Sequence, residues 1–112
     1  MRTHKGKLLK IYLEENDKYE KKALYEWLID QAMDLNIAGA TVIRAMEGFG
    51  AKKHIHTVHI LTISLNLPVI IEIVDSSEKI EQFINQVKTA LQGCLTTIQD
   101  IDISFNESTQ NS

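Results

Sequence analysis

The sequence predicts one small α+β domain, an antiparallel sheet covered on one face by two helices. Three observations carry this prediction: segments in which apolar residues alternate, two segments in which they recur at helical spacing, and the order of these segments. A chain of 112 residues has room for one domain with one hydrophobic core. We therefore expect a single domain over residues 1–105 and a polar, disordered tail over residues 106–112.

The first half of the chain predicts a strand, a helix and a second strand. Residues 8–13 alternate between the two faces of a strand, and a polar turn over residues 14–22 follows them. Residues 23–35 place apolar side chains at helical spacing, which predicts a helix that ends near Asn36. Residues 41–46 then predict the second strand.

A third strand is predicted from a long apolar region in the middle of the chain. Residues 58–65 form its first part, residues 66–68 introduce a kink at a proline, and residues 69–74 continue in extended conformation. Polar residues interrupt this region repeatedly, so it is not the run of about 20 apolar residues that crosses a bilayer.

A second helix and a last strand complete the pattern. Asp75 or Ser76 can cap the helix, and Glu78 completes a capping box if Asp75 is the cap. Gly93 is expected to end the helix, and residues 95–105 alternate as the last strand. The resulting order, strand, helix, strand, strand, helix, strand, is that of a ferredoxin-like β-α-β-β-α-β sandwich.

The predicted strands carry apolar residues on both faces, although two helices can cover only one face of the sheet. Leaving several large apolar side chains in water would cost about 1.5–3 kcal/mol each. An exposed patch of this kind typically marks a subunit interface. We therefore expect the protein to self-associate; covering by a neighbouring loop or by the tail is the alternative.

Composition and charge exclude several classes of protein. Apolar residues make up 44% of the chain and charged residues 24%, as in an ordinary globular domain. The net charge of −3 provides no basic surface for nucleic acid. The single cysteine, Cys94, excludes an internal disulfide, and the charged N-terminus lacks the apolar run of a signal peptide. These features predict a cytoplasmic protein.

One segment, residues 47–57, has the composition of a ligand site. Gly48 and Gly50 flank Phe49 and allow another group to approach the backbone N–H groups, which can hold an anion. Positive or titratable side chains lie nearby: Arg44, Lys52, Lys53, His54 and His56. A small anionic molecule such as a nucleotide suits this arrangement. A simple turn or bulge is the alternative.

Other residues invite chemical interpretations that we do not favour. His54, His56 and His59 form no metal-binding pattern, so we expect no metal site. Asp100 and Asp102 are expected on the solvated side of a strand, and Glu72 is either a buried carboxylate or a residue of the uncovered sheet face. Cys94 has no histidine partner that the sequence can place, so no catalytic residue is assigned and the protein is not expected to be an enzyme.

Several motifs resemble the PII signalling proteins in order and spacing. They are Gly39-Ala40-Thr41-Val42, Gly48-Phe49-Gly50, Leu67-Pro68 and Ile71-Glu72-Ile73-Val74. The most similar family is a short PII-like family described as a domain of unknown function. The resemblance extends over residues 7–105, nearly the whole predicted domain.

The resemblance implies a homotrimer with the sheets facing the threefold axis and an adenine-nucleotide cleft between subunits. Matched motif by motif, the residues implied to line the cleft are Thr41, Gly48, Phe49, Gly50, Ala51 and Val74. Residues 51–57 would begin the T-loop, the segment with which PII proteins contact a target. That target is often a membrane transporter or an enzyme, and relatives of this family are often encoded beside fluoride-export channels.

The sequence departs from PII proteins at two phosphate-binding lysines. Gly93 and Cys94 stand where PII proteins have a glycine-rich loop with a lysine, and Val69 and Ile70 follow Pro68 where another lysine is usual. Each missing cation removes a charge-assisted contact of roughly 1.5–3 kcal/mol. The resemblance therefore implies AMP or another small adenylate rather than ATP.

Three hypotheses about function follow. The favoured one is a trimeric PII-like sensor that binds a small anionic effector between subunits and signals through its T-loop-like segment. The second is a trimeric interaction or assembly module with no small-molecule ligand. The third, a small phosphatase on the same scaffold, would need an arginine and an asparagine beside a phosphate loop, and Arg44 and Asn16 do not have that spacing.

Overall fold

The computed structural model describes residues 2–49, 56–57 and 66–106. Within these residues a four-stranded sheet packs against two helices, neither of which is long and apolar enough to cross a bilayer. In chain order the elements are β1 (His4–Glu14), β2 (Lys18–Tyr19), β3 (Lys22–Ala23), α1 (Leu24–Asp34), β4 (Gly39–Arg44), β5 (Glu47–Gly48), β6 (His56–Thr57), β7 (Pro68–Asp75), α2 (Ser77–Val87) and β8 (Leu95–Ile103).

The main sheet has the strand order β4-β7-β1-β8, and all neighbouring strands are antiparallel. β1 and β4 are therefore parallel to each other with β7 between them, and β7 and β8 are parallel with β1 between them. Each parallel pair is connected by one helix, which is the ferredoxin-like arrangement that the element order predicts. The prediction of the fold class is confirmed.

The core lies between the sheet and the helices. Alternate residues of the two central strands supply one side of it, and the helices supply the other; Phe83 of α2 is fully buried. Burial of each such side chain contributes about 1.5–3 kcal/mol. The buried residues are Leu9, Ile11 and Leu13 on β1, Val69, Ile71 and Ile73 on β7, Leu24, Leu28 and Ala32 on α1, and Ile80, Phe83 and Val87 on α2, with Ala90 beyond it.

The strands differ from their predicted bounds at the ends. β1 begins at His4, four residues before the predicted start, because its polar first residues pair with the end of β8. Lys5 and Asp102 face each other there in an ion pair of 3.0 Å. Apolar alternation could not reveal this part, because it extends beyond the helices and covers no core. Of the predicted third strand, residues 69–74 lie in β7, and residues 58–65 are outside the described residues.

The structure chooses the second of the two caps that the sequence allows for the second helix, so the capping box that required Asp75 does not form. Ser76 is the N-cap, and its hydroxyl accepts a hydrogen bond from the Lys79 N–H at 3.3 Å. The Asp75 carboxylate instead accepts from the Ala38 N–H at 2.9 Å and from the Ser76 N–H at 2.6 Å, so it is occupied in joining β7 to the segment before β4.

The second helix also ends earlier than Gly93. α2 stops at Val87, and the chain continues through tighter turns in which N–H groups bond to carbonyls three residues earlier. Gly93 closes these turns with a φ of 85°, a conformation that costs glycine little. The prediction that Gly93 ends the second helix is therefore wrong, because the turns over residues 88–92 separate it from the end of α2.

The sequence did not predict the β2–β3 hairpin, which lies in the predicted polar turn. Lys18 pairs with Ala23 and Tyr19 with Lys22, leaving Glu20 and Lys21 as the two turn residues. Their φ angles are 50° and 67°, as a type I′ turn requires, and asparagine followed by glycine is the preferred sequence for such a turn. Two-residue strands are too short to produce a hydrophobic period.

This hairpin provides a stability prediction. The double substitution Glu20→Asn and Lys21→Gly should raise the free energy of unfolding by about 1 kcal/mol, because a non-glycine residue in the left-handed region costs about that much. Urea denaturation followed by circular dichroism measures the change. An unchanged or lower stability would mean that the turn residues are not under this strain.

The face of the sheet opposite the helices, here named the open face, is covered by neither α1 nor α2. In antiparallel strands directly opposed residues share a face, so the register defines its members. They are His4, Gly6, Leu8, Lys10, Tyr12 and Glu14 on β1, Gly39, Thr41 and Ile43 on β4, Pro68, Ile70, Glu72 and Val74 on β7, and Leu95, Thr97, Gln99, Ile101 and Ile103 on β8. The prediction that the sheet carries apolar residues on both faces is confirmed.

Candidate functional site

A cavity of about 310 Å³ opens at one end of the sheet. Four parts of the chain meet there: the end of β1, the start of β7, the segment after β4, and the turn after α2. Its apolar wall is formed by Tyr12, Leu13, Leu24, Ala45, Phe49, Pro68, Val69, Ile70, Ala90 and Cys94. This volume is near the lower limit of roughly 300–1,000 Å³ for sites that bind small molecules.

The polar wall of the cavity is mainly acidic. Glu14, Asp17 and Glu47 line it, and Lys18 is the basic residue among the described lining residues. The Glu14 carboxylate accepts a hydrogen bond from the Asn66 side-chain amide at 3.1 Å, and the Asp17 carboxylate accepts from the Glu14 N–H at 2.9 Å. Carboxylates held in these positions favour a ligand that donates hydrogen bonds and disfavour one that carries several negative charges.

The chain on both sides of residues 50–65 is fixed beside this cavity, and we name residues 45–49 and 66–68 the loop base. The Ala45 N–H donates to the Pro68 carbonyl at 2.8 Å, which joins the two halves of the loop base. Residues Glu47 and Gly48 of β5 pair with Thr57 and His56 of β6. The sequence interpretation of residues 51–57 as a loop is therefore wrong for its last two residues, which form a strand too short to show alternation.

The turn between β1 and β2 anchors the loop base from the other side. The Glu15 N–H donates to the Leu67 carbonyl at 2.8 Å, and the Asn16 N–H donates to the Asn66 side-chain oxygen at 2.9 Å. The Arg44 guanidinium donates two hydrogen bonds to one Glu15 carboxylate oxygen, at 3.0 and 3.2 Å. A ligand in the cavity would therefore contact groups held by the same framework as the loop base.

The structure brings only some of the predicted site residues together. Gly48 and Phe49 line the cavity, and the Phe49 side chain is 69% exposed. Thr41 and Val74 lie instead on the open face, on neighbouring strands. Gly50, Ala51, Lys52, Lys53 and His54 lie outside the described residues, and for His56 the structure describes the backbone alone.

Arg44 does not share a face with Thr41. It lies opposite Val69 on the helix side of the sheet, whereas Thr41 lies opposite Glu72 on the open face. Its charge is directed to Glu15 at the β1–β2 turn. Within one copy of the chain, Arg44 thus positions the loop base and does not join Thr41 in one site.

The structure also shows the surroundings of the other residues considered for chemistry, which are the two aspartates of β8, Glu72, Cys94 and the histidines. Asp100 and Asp102 are exposed and paired with lysines, and the hydrogen bond from Lys7 lowers the pKa of Asp100, which keeps it ionised. Glu72 lies half-buried on the open face. Cys94 is half-buried against the core. In the part of the chain that the structure describes, no group of three or more potential metal ligands is found, and His54 and His59 lie outside it.

The three carboxylates of the cavity wall, here named the acidic wall, were not predicted from the sequence. Glu14 and Asp17 stand in a segment interpreted only as a polar turn, and Glu47 was grouped with the glycines that follow it. Acidic residues are common in surface turns, so their spacing carries no signal of a shared cavity. Only the antiparallel pairing of β1 with β7 places Glu14 opposite Pro68 and hence beside the loop base.

Comparisons with known proteins agree with this architecture. A PII-like nitrogen regulatory protein, CPII from Thiomonas intermedia K12, solved with ADP, AMP and bicarbonate, has a TM-score of 0.68 over 91% of each chain at 16% identity. A putative PII-like signalling protein from Thermus thermophilus has a TM-score of 0.66 over 92% of this chain and 93% of its own, also at 16% identity.

Sequence comparison identifies the family. A UPF0166 protein of Aquifex aeolicus is 36% identical over 105 residues, which is 94% of this chain and 99% of the relative. The model of the DUF190 family, described as "Uncharacterized ACR, COG1993", matches residues 6–103. The PII-like resemblance inferred from the motifs is confirmed. The chain therefore belongs to the DUF190 family and has the PII-like fold.

Proposed function

We propose that this protein is a PII-like regulator that binds a small anionic effector carrying an adenine base, such as AMP. The observation that carries the proposal is the cavity at the loop base, where the Gly48–Phe49 backbone, the turn at Gly93 and the ends of two central strands meet. Effector binding there would favour one state of the T-loop-like segment that begins at residue 51. Such a preference is required for a signal.

The composition of the cavity supports a monophosphate over a triphosphate. Tyr12, Phe49 and Pro68 offer apolar and aromatic surface to a base, and the carboxylates of Glu14 and Glu47 can accept hydrogen bonds from an amino group. The same carboxylates repel additional phosphates. Lys52, Lys53, His54 and His56 supply the charge for one anionic group in this proposal. CPII, which shares the fold, was solved with ADP, AMP and bicarbonate.

The proposal includes a homotrimer in the cytoplasm, with the open face at the contact between subunits and the effector site completed there by Thr41 and Val74 of a neighbouring copy. Support comes from the apolar residues of the open face, which neither helix covers. The target would be a membrane transporter or an enzyme, and the protein itself would not be a catalyst. The open face equally favours a second candidate function, a trimeric assembly module without a ligand.

Thermal denaturation with a panel of nucleotides tests the proposal. AMP at 100 times its dissociation constant should stabilise the protein by about 2.7 kcal/mol, and ATP should bind at least tenfold more weakly than AMP because of the acidic wall. The panel includes ADP and a cyclic dinucleotide. Absence of any shift would favour the assembly module, and tighter binding of ATP than of AMP would contradict the charge argument.

A further inference from the structure

The open face carries one polar row that crosses all four strands. Its members are Thr41 on β4, Glu72 on β7, Lys10 on β1 and Thr97 on β8, each directly opposite the next. The row on one side of it is apolar throughout and consists of Ile43, Ile70, Tyr12 and Leu95. On the other side, Val74 and Leu8 occupy the central strands. A lysine and a carboxylate thus lie in the middle of a largely apolar surface.

The two charges in this row do not pair with each other. Lys10 and Glu72 are direct cross-strand neighbours, with Cβ atoms expected roughly 4.5–5.5 Å apart, and both side chains are half-buried. Yet the ion pairs formed within the described residues join other groups, and neither side chain has a hydrogen-bond partner there. Each head group is therefore available to a group arriving from outside the protomer.

Covering the open face would remove both charges from water, which is strongly unfavourable unless each meets an opposite charge. A second copy of the chain satisfies this condition without further assumptions, because it brings its own lysine and its own carboxylate in the same row. A partner with a uniformly apolar surface would bring no opposite charge to either of them. Charge complementarity on the open face therefore favours a copy of this chain as its occupant.

We infer that Lys10 of one copy pairs with Glu72 of another, and that this pairing selects the register in which the open faces associate. The apolar rows supply most of the favourable free energy, but they match one another in several registers. A register that brings the lysine of one copy to the carboxylate of another gives each buried charge a partner from outside its own chain. A single polar position fixes the register of coiled coils in a similar way. The inference rests on the self-association that forms part of the proposed function.

Charge reversal and charge exchange test the inference by sedimentation equilibrium of the full chain. Lys10→Glu or Glu72→Lys alone should weaken association at least tenfold, because the row then carries charges of one sign. The double variant Lys10→Glu with Glu72→Lys should restore association to within about threefold of the wild type. Lys5→Glu is the matched control, because Lys5 is an exposed lysine of the same strand on the opposite face, and it should leave association unchanged.

The possible results separate this inference from the proposed function. A monomeric wild type would contradict both the trimer and the pairing. A wild type that associates while the single reversals associate equally well, or a double variant that stays dissociated, would overturn the pairing alone. Circular dichroism identifies any variant that fails to fold, and Lys10→Gln, which removes the charge without adding a carboxylate, then replaces it and should also weaken association.

Discussion

Replacing Gly48 by valine should lower the affinity for an adenine nucleotide at least 100-fold, a loss of about 2.7 kcal/mol. Gly48 lines the cavity from β5, and a Cβ atom added to it would lie 3.7 Å from the Pro68 ring, which is ordinary contact. The first side-chain carbon is therefore tolerated, whereas the two methyl groups of valine would occupy the space that the proposed effector uses. Isothermal titration calorimetry with AMP measures the loss.

Gly48→Ala is the matched control for this prediction. Its single methyl group adds little volume and should change the affinity much less than valine does, whereas thermal stability should be similar for both variants. If valine leaves AMP binding intact, the effector binds elsewhere on the protein. If both variants bind normally, the cavity at the loop base has no part in effector binding.

Replacing Gly6 by alanine should destabilise the fold by about 3 kcal/mol, at the upper end of the usual cost of overpacking. Gly6 lies in β1 opposite Ile101 of β8, and a Cβ atom built on it would lie 2.2 Å from Ile103 Cδ1 and 2.7 Å from the Asp75 carbonyl oxygen. The isoleucine methyl can move aside. The carbonyl cannot move without displacing the end of β7.

The displacement would reach further than β7, because Asp75 also accepts hydrogen bonds from the Ala38 and Ser76 N–H groups at the starts of β4 and α2. We expect the melting temperature to fall by roughly 10 °C or more. Gly39→Ala is the control, because its added Cβ would meet only Val74, at 3.9 Å. Equal melting temperatures for the two alanine variants would show that the strands accommodate a side chain at Gly6.

The acidic wall and the missing lysines lead to the same expectation about effector charge. Gly93 and Cys94 stand where the resemblance to PII proteins would place a phosphate-binding lysine. The structure places both residues in a cavity with Glu14, Asp17 and Glu47. A site with fewer cations and more carboxylates near the ligand favours a smaller negative charge on that ligand. The proposed preference for AMP over ATP therefore depends on two independent features of the chain.

Several elements of the fold have no apolar pattern in the sequence, for one common reason. The β2–β3 hairpin, the pairing of β5 with β6 and the polar start of β1 cover little or no core, so no apolar period marks them. The sequence left the cap of α2 open between Asp75 and Ser76, because both are suitable caps by type. The choice between them depends on Ala38, a residue 37 positions earlier in the chain that occupies the Asp75 carboxylate.

The sequence by itself determined the order of the main elements, their buried faces and the family. The elements and their buried faces follow from the local periodicity of apolar residues, and the family follows from contiguous motifs. Tertiary structure alone decided which charges meet. The Arg44–Glu15 pair spans 29 positions and the contact from Asn66 to Glu14 spans 52. Such contacts follow from the strand order β4-β7-β1-β8, which brings distant segments together, and no local pattern of residue types encodes the resulting neighbours.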